Sequence, residues 1–254
     1  YHDSDVKGKK IEKHPYSEFA DFEIKNGEKI PTIDQYLEQG KKHPETMLVY
    51  ELKPHSCDEV EDRFIDLSIA KLEEHGLLNP ERVMFISFSL HICEVLAQRL
   101  PDFTVQYLDS NRNPDELADL GINGVDYNQA VFKVHRKWYR KARKRDMSVN
   151  VWTVNHKKPI KKMLRLGVDM ITTDYPLETR EIMKDMKIKD GFVLRNVVDE
   201  FIVMPTGDNI AKFDGAVAAD AGVGGHTLFV GENKVVHHLP AERIHPIQHG
   251  KFHA

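Results

Sequence analysis

The sequence predicts an α/β fold organised around a parallel sheet. Three observations carry this. From residue 46 to residue 184, short apolar runs alternate with amphipathic segments across short links. Six of the runs have the length and the β-branched and aromatic content of strands. No G-x-G-x-x-G follows any of them, which counts against a dinucleotide fold. A (β/α)8 barrel or a doubly wound sheet fits this rhythm.

Residues 46–53 (TMLVYELK) read as the first buried strand. Ser56-Cys57-Asp58-Glu59 places a hydroxyl three residues before a carboxylate, the pattern of a capping box. A helix should open there, with Val60, Phe64, Leu67 and Leu72 on its apolar face and Gly76 at its end. Residues 82–88 (RVMFISF) form the second strand, and Ser89 caps a helix carrying Ile92, Val95, Leu96 and Leu100. A strand at 103–108 follows, then Asn113-Pro114 opens a short helix that ends at Gly121. Residues 122–127 (INGVDY) make a short strand and 128–145 a helix. Residues 148–154 are a strand, 157–166 a helix and 168–173 a strand, and Pro176 sits at the start of a last helix, 177–184.

Past about residue 185 the texture changes. Short β segments are expected at 186–225, with turns at Asp190-Gly191, Thr206-Gly207-Asp208 and Asp214-Gly215. The Gly- and His-rich stretch 226–254 reads as a poorly ordered tail. His245, His249 and His253 lie four apart, but Pro246 and Gly250 oppose the helix that would align them as metal ligands. The expected division is therefore a unit at 1–184, a β-rich segment at 186–225 and the tail.

Bulk properties exclude several classes. At 254 residues, 41% hydrophobic and 30% charged, the chain can bury a core. A net charge of −4 gives no reason to expect nucleic acid, and no run of 18 apolar residues suggests a transmembrane helix. The stretch 133–145 carries eight Lys or Arg and no acid. Val131, Val134, Trp138 and Ala142 recur there at helical spacing, so its basic residues fall on the solvated face of a barrel helix. Cys57 and Cys93 fit neither a disulfide scaffold nor a zinc ribbon, and Cys93 sits among core residues. The opening YHDSDVKGKK carries no signal peptide.

Chemistry enters where the strands end. Residues two apart on a strand share a face, so Glu51 and Lys53 point the same way. Either they form a weak surface ion pair, or the carboxylate holds a metal or a proton and the ammonium an anion. Ser87, Asn155, Thr173 and Asp174 end other strands and ring the same expected mouth, which favours a site.

Six segments, in order, are similar to the glycerophosphodiester phosphodiesterases: YHDSD at the start, NGEKIPTIDQYLEQGKK (26–42), LVYELKPH (48–55), FISFSL (85–90), VNVWTVN (149–155) and GVDMITTDYP (167–176). The resemblance spans residues 1 to about 184 and implies a (β/α)8 TIM-type barrel, incomplete at its N-terminus, with a small β-rich C-terminal appendage. It implies metal-dependent hydrolysis of a small-molecule glycerophosphodiester to an alcohol and glycerol 3-phosphate, with calcium or magnesium as cofactor and an exported parent protein. It assigns Glu51 to the metal, Lys53 to the substrate phosphate, His2 to protonation of the leaving alcohol and Trp152 to the wall of the glycerol pocket. The family's His-Arg-Gly and Glu-x-Asp strand ends occur nowhere in this sequence. They would supply a histidine, an arginine and two of three metal carboxylates, so the chain reads as an inactive C-terminal part of such an enzyme. Adding the strands thought missing gives a count of nine, so 122–127 is expected to fall short of a full strand.

Residues 186–217 resemble the opening β segments of the pyrroloquinoline-quinone-synthesis D type of peptide-recognition module. This keeps a second function class in view, a non-catalytic degenerate barrel joined to a peptide-binding module.

Overall fold

The computed structural model describes residues 3–24, 27–44 and 47–186. His2 and, apart from Met186, the segments expected at 186–225 and 226–254 lie outside the described residues.

The chain opens with a two-stranded hairpin, β1 (Asp5–Val6) and β2 (Lys9–Lys10), turning through Lys7 and Gly8, both at positive φ. Val6, Phe19 and Ile30 bury one another in a small lobe. Helix α1 (Ile33–Lys41) follows, an element that the reading of the strand–helix rhythm passed over. Its start is written in Thr32 and Gln35, which cap each other reciprocally in a complete capping box.

Six parallel strands come next: β3 (Leu48–Glu51), β4 (Val83–Ser87), β5 (Val105–Tyr107), β6 (Gly124–Asn128), β7 (Ser148–Trp152) and β8 (Met170–Ile171). They lie side by side in that order, each paired with its predecessor. Between them run α2 (Asp58–Glu74), α3 (Leu90–Arg99), α4 (Pro114–Asp119), α5 (Val131–Val134), α6 (Trp138–Lys144) and α7 (Lys157–Leu166), and α8 (Pro176–Asp185) follows β8. This is the curled parallel sheet with helices of a TIM-type barrel, as the sequence predicts.

Both faces of the sheet are buried, as parallel sheets require. Tyr50, Leu52, Phe85, Tyr107, Tyr127 and Val151 belong to the larger core shared with the helices. Val49, Met84, Ile86, Leu108 and Met170 form a second cluster on the inner face, with Met47 and Trp152 packed against it.

Four expectations are corrected. Strand β6 is a full five-residue strand, paired on both sides. Its Gly124 is a packing residue, since a Cβ there would collide with Ser148 Oγ and Gln106 Cγ. The expected helix 128–145 is two helices, interrupted at His135, whose ring stacks on Trp138 at 4.0 Å. Val134 is accordingly 74% exposed instead of part of an apolar stripe. The capping box at Ser56 does not form, because Cys57 is the N-cap and the Ser56 hydroxyl donates to Glu12. Finally, α2 buries Glu61, Ile65, Ser68 and Leu72, while Leu67 is 55% exposed.

Other readings hold. Ser89 caps α3, Asn113 opens α4 and α7 spans Lys157–Leu166; the structure adds a reciprocal Glu116 cap on α4 and a left-handed stop at Gly167. Most of the basic stretch faces outward, with Lys141 and Arg145 paired to Asp115 and Asp119 of α4, but Arg143 is partly buried and paired to buried Asp169 in the α7–β8 link. No helix of the described residues is long and apolar enough to cross a membrane.

Candidate active site

The pairing registers show which side chains face inward. Paired residues share a face of the sheet. Glu51 is opposite Ile86, Ile86 opposite Gln106 and Gln106 opposite Gly124. Two residues further along β6, Asp126 pairs with Asn150, and Asn150 pairs with Met170. Ile86 and Met170 belong to the inner cluster, so Glu51, Gln106, Asp126 and Asn150 line the same interior.

Glu51 closes β3 at the mouth, and Lys53 Nζ reaches back to its Oε1 at 2.9 Å. Their side chains are 13% and 31% exposed, so the pair is partly desolvated, not a loose surface contact. Leu52, between them, turns into the helix-side core.

The loop that follows is tightly held. The Ser87 hydroxyl donates to the Leu52 carbonyl at 2.6 Å, and Ser87 Oγ accepts from the Ser89 N–H at 3.0 Å. Buried Glu61 accepts from the His55 N–H at 2.9 Å and from the Ser89 hydroxyl at 2.6 Å. From the N-terminal lobe, Glu12 accepts from the Ser56 N–H at 3.1 Å and from the Ser56 hydroxyl, and lies 3.2 Å from His55 Nδ1. The ends of β3 and β4 are thereby fixed to each other and to the lobe.

On the far side of the mouth, Trp152 donates its indole N–H to the Asp126 carbonyl at 2.8 Å. Phe88 meets it edge to face at 5.7 Å and is itself exposed. Asn155, Thr173 and Asp174 form one network: Asn155 Oδ1 accepts from the Thr173 hydroxyl at 3.1 Å and the Asp174 N–H at 2.9 Å, and its amide donates to the Asp174 carboxylate. Of the expected site residues, Glu51, Lys53 and Trp152 thus lie at strand ends on one inner face, and His2 lies outside the described residues.

Asp126 is the residue that sequence reasoning missed. Only 1% exposed, it has one carboxyl oxygen, Oδ1, with no hydrogen-bond partner among the described residues. Burial pushes its carboxyl well above the usual range, the negative charge of Glu51 adds to this, and the Asn150 amide opposes it. A lone Asp inside INGVDY gave no signal apart from its place on a strand.

Two other groups of side chains could offer metal ligands, Asp34–Glu74–His75 and Asp58–Glu61–His91. In the first, the Lys71 ammonium lies 2.7 Å from Asp34 and 2.9 Å from Glu74, and Asp34 is half exposed on the helices, away from the strand ends. In the second, both oxygens of Glu61 are engaged by His55 and Ser89.

The profile of the glycerophosphoryl diester phosphodiesterase family matches residues 1–178. A glycerophosphodiester phosphodiesterase of Parabacteroides distasonis has a similar structure, with a TM-score of 0.71 and 37% identity over 74% of this chain and 78% of that one. An Oleispira antarctica phosphodiesterase, solved with sn-glycerol-3-phosphate, shares the fold at a TM-score of 0.60 and 20% identity, over 72% of this chain and 78% of that one. Glycerophosphodiester phosphodiesterase GDPD4 of Arabidopsis thaliana is 37% identical over 59 residues, 22% of this chain. That match spans 18% of the Arabidopsis protein's length.

Proposed function

The chain belongs to the glycerophosphoryl diester phosphodiesterase family, and on that premise we propose that its strand-end mouth serves metal-dependent hydrolysis of glycerophosphodiesters to an alcohol and glycerol 3-phosphate. The observation that carries this is the partly desolvated Glu51–Lys53 pair on the inner face, an acid for a cation beside a base for a phosphate.

The donor set suits a hard cation, since carboxylate and amide oxygens are the ligands calcium and magnesium take. When bound, such an ion supplies Lewis acidity toward the phosphoryl oxygen. Glu51 would hold it. Lys53 neutralises a phosphate oxygen as a point charge. Trp152 walls the glycerol pocket, and His2 gives its proton to the departing alkoxide. Water adds to phosphorus as the phosphorus–oxygen bond to the alcohol breaks, and the proton it loses remains on the phosphate monoester or passes to solvent. The product found in the Oleispira phosphodiesterase matches this outcome.

The family's Glu-x-Asp carboxylates and its His-Arg-Gly histidine and arginine occur nowhere in the 254 residues. A divalent cation takes six or more oxygens, so the polypeptide by itself is inactive in this reading. We place the end of the phosphodiesterase unit near residue 185.

The test is glycerol 3-phosphate release from glycerophosphocholine, with calcium, magnesium or chelator. It compares this chain with one preceded by the corresponding segments of the Parabacteroides relative. Chelator-sensitive release from the extended chain, falling to the chelated level in Glu51→Gln, is expected. Release that survives Glu51→Gln within a few fold refutes the reading. Release from the 254-residue chain alone refutes its inactivity.

A further inference from the structure

We propose that Asp126 is a further carboxylate ligand of the divalent cation, facing it from the strand β6 side of the mouth. The inference deepens the reading above and rests on it for the presence of a cation.

The geometry is unusual for a structural acid. Asp126 is buried in a parallel sheet, yet Oδ1 has no hydrogen-bond partner among the described residues. Leaving a buried polar atom unpaired is costly, and a carboxylate more so. The nearest help is the Asn150 amide, while the charged group felt at Asp126 is another acid, Glu51. A second orphan oxygen, Gln106 Oε1, faces the same interior opposite Gly124, two residues before Asp126. Two inward acids and an unsatisfied amide oxygen form an oxygen-rich, electronegative wall. A hard divalent cation takes several oxygens at once, so it can meet the unpaired Asp126 Oδ1 while Glu51 holds it, whereas a hydrogen-bond donor would satisfy one oxygen. The surroundings also hold Asp126 in place, because the Trp152 indole is bonded to its carbonyl and Asn150 lies in register beside it.

Trp152 makes the site observable. Terbium substitutes for calcium and emits when an excited indole lies close by. The experiment titrates terbium into the 254-residue chain and into Asp126→Asn, Glu51→Gln and the control Asp34→Asn, exciting tryptophan, then adds excess calcium. The expected result is sensitised emission from wild type and Asp34→Asn that calcium displaces, with at least a ten-fold weaker apparent affinity in Asp126→Asn. Unchanged affinity in Asp126→Asn, with loss in Glu51→Gln, overturns the role of Asp126 and leaves the proposed function standing. No sensitised emission from wild type overturns it as well. Asp126→Ser, a smaller neutral variant, guards against misfolding of the first. If both variants unfold in metal-free buffer, Asp126 is a structural acid and the proposal fails.

Discussion

Ser87 donates its hydroxyl proton to the carbonyl of Leu52 at 2.6 Å, tying the residue between Glu51 and Lys53 to the end of the adjacent strand. The bond is fully buried, and the same oxygen accepts the Ser89 N–H. Ser87→Ala leaves both backbone groups without this partner, at a cost of about 1–3 kcal/mol. Urea unfolding measures it. A loss below about 0.5 kcal/mol would mean that water replaces the hydroxyl.

His91 joins α3 to α2, with Nε2 2.8 Å from Asp62 and Nδ1 3.8 Å from Asp58. Burial works against its charge, but the Asp62 hydrogen bond and the charges of Asp58, Asp62 and Glu61 outweigh it and raise its pKa. A raised histidine adds stability that is fully present below its unfolded value of about 6.5 and is lost as pH rises through the folded value. His91→Gln should therefore cost about 0.5 kcal/mol at pH 5.5, a modest figure because both partner acids are exposed. The difference should close by about pH 8.5, well above the ordinary histidine range. Denaturation midpoints at the two pH values check this, and a gap that widens with pH would contradict it.

The two thiols should react on different timescales. Cys57 is exposed, whereas Cys93 is buried and its thiol is pushed up by desolvation. Ellman's reagent should titrate one thiol promptly and the second only on unfolding. Prompt reaction of two thiols would show that α3 opens readily.

Much of the fold was legible because its signals are local. Helix α7 was read to the residue, since Lys157–Leu166 is strongly amphipathic and Gly167 supplies a left-handed stop. The errors came from residues whose roles depend on distant partners. INGVDY reads as a strand that falls short, yet Gly124 makes room for Gln106 and Ser148 and Asp126 lines the interior of a full strand. Ser56 has the spacing of a cap, but Glu12, 44 residues away, takes its hydroxyl. His135 ends a helix that the apolar spacing would continue, and Trp138 packs against it and Tyr127. In the site, Glu51, Lys53 and Trp152 were visible through their alternation and strand-end positions. Asp126 became visible only once the register showed which face it shares.

The strand order β3-β4-β5-β6-β7-β8 is also the order of synthesis. A nascent chain can therefore lay each strand of the described sheet from β4 onward against one already made. Domains tend to form from the N-terminal end as they are translated, and here sheet growth and translation run in the same direction. The wall that carries Trp152 and Asp126 is laid down after the one that carries Glu51 and Lys53, so the mouth is assembled last.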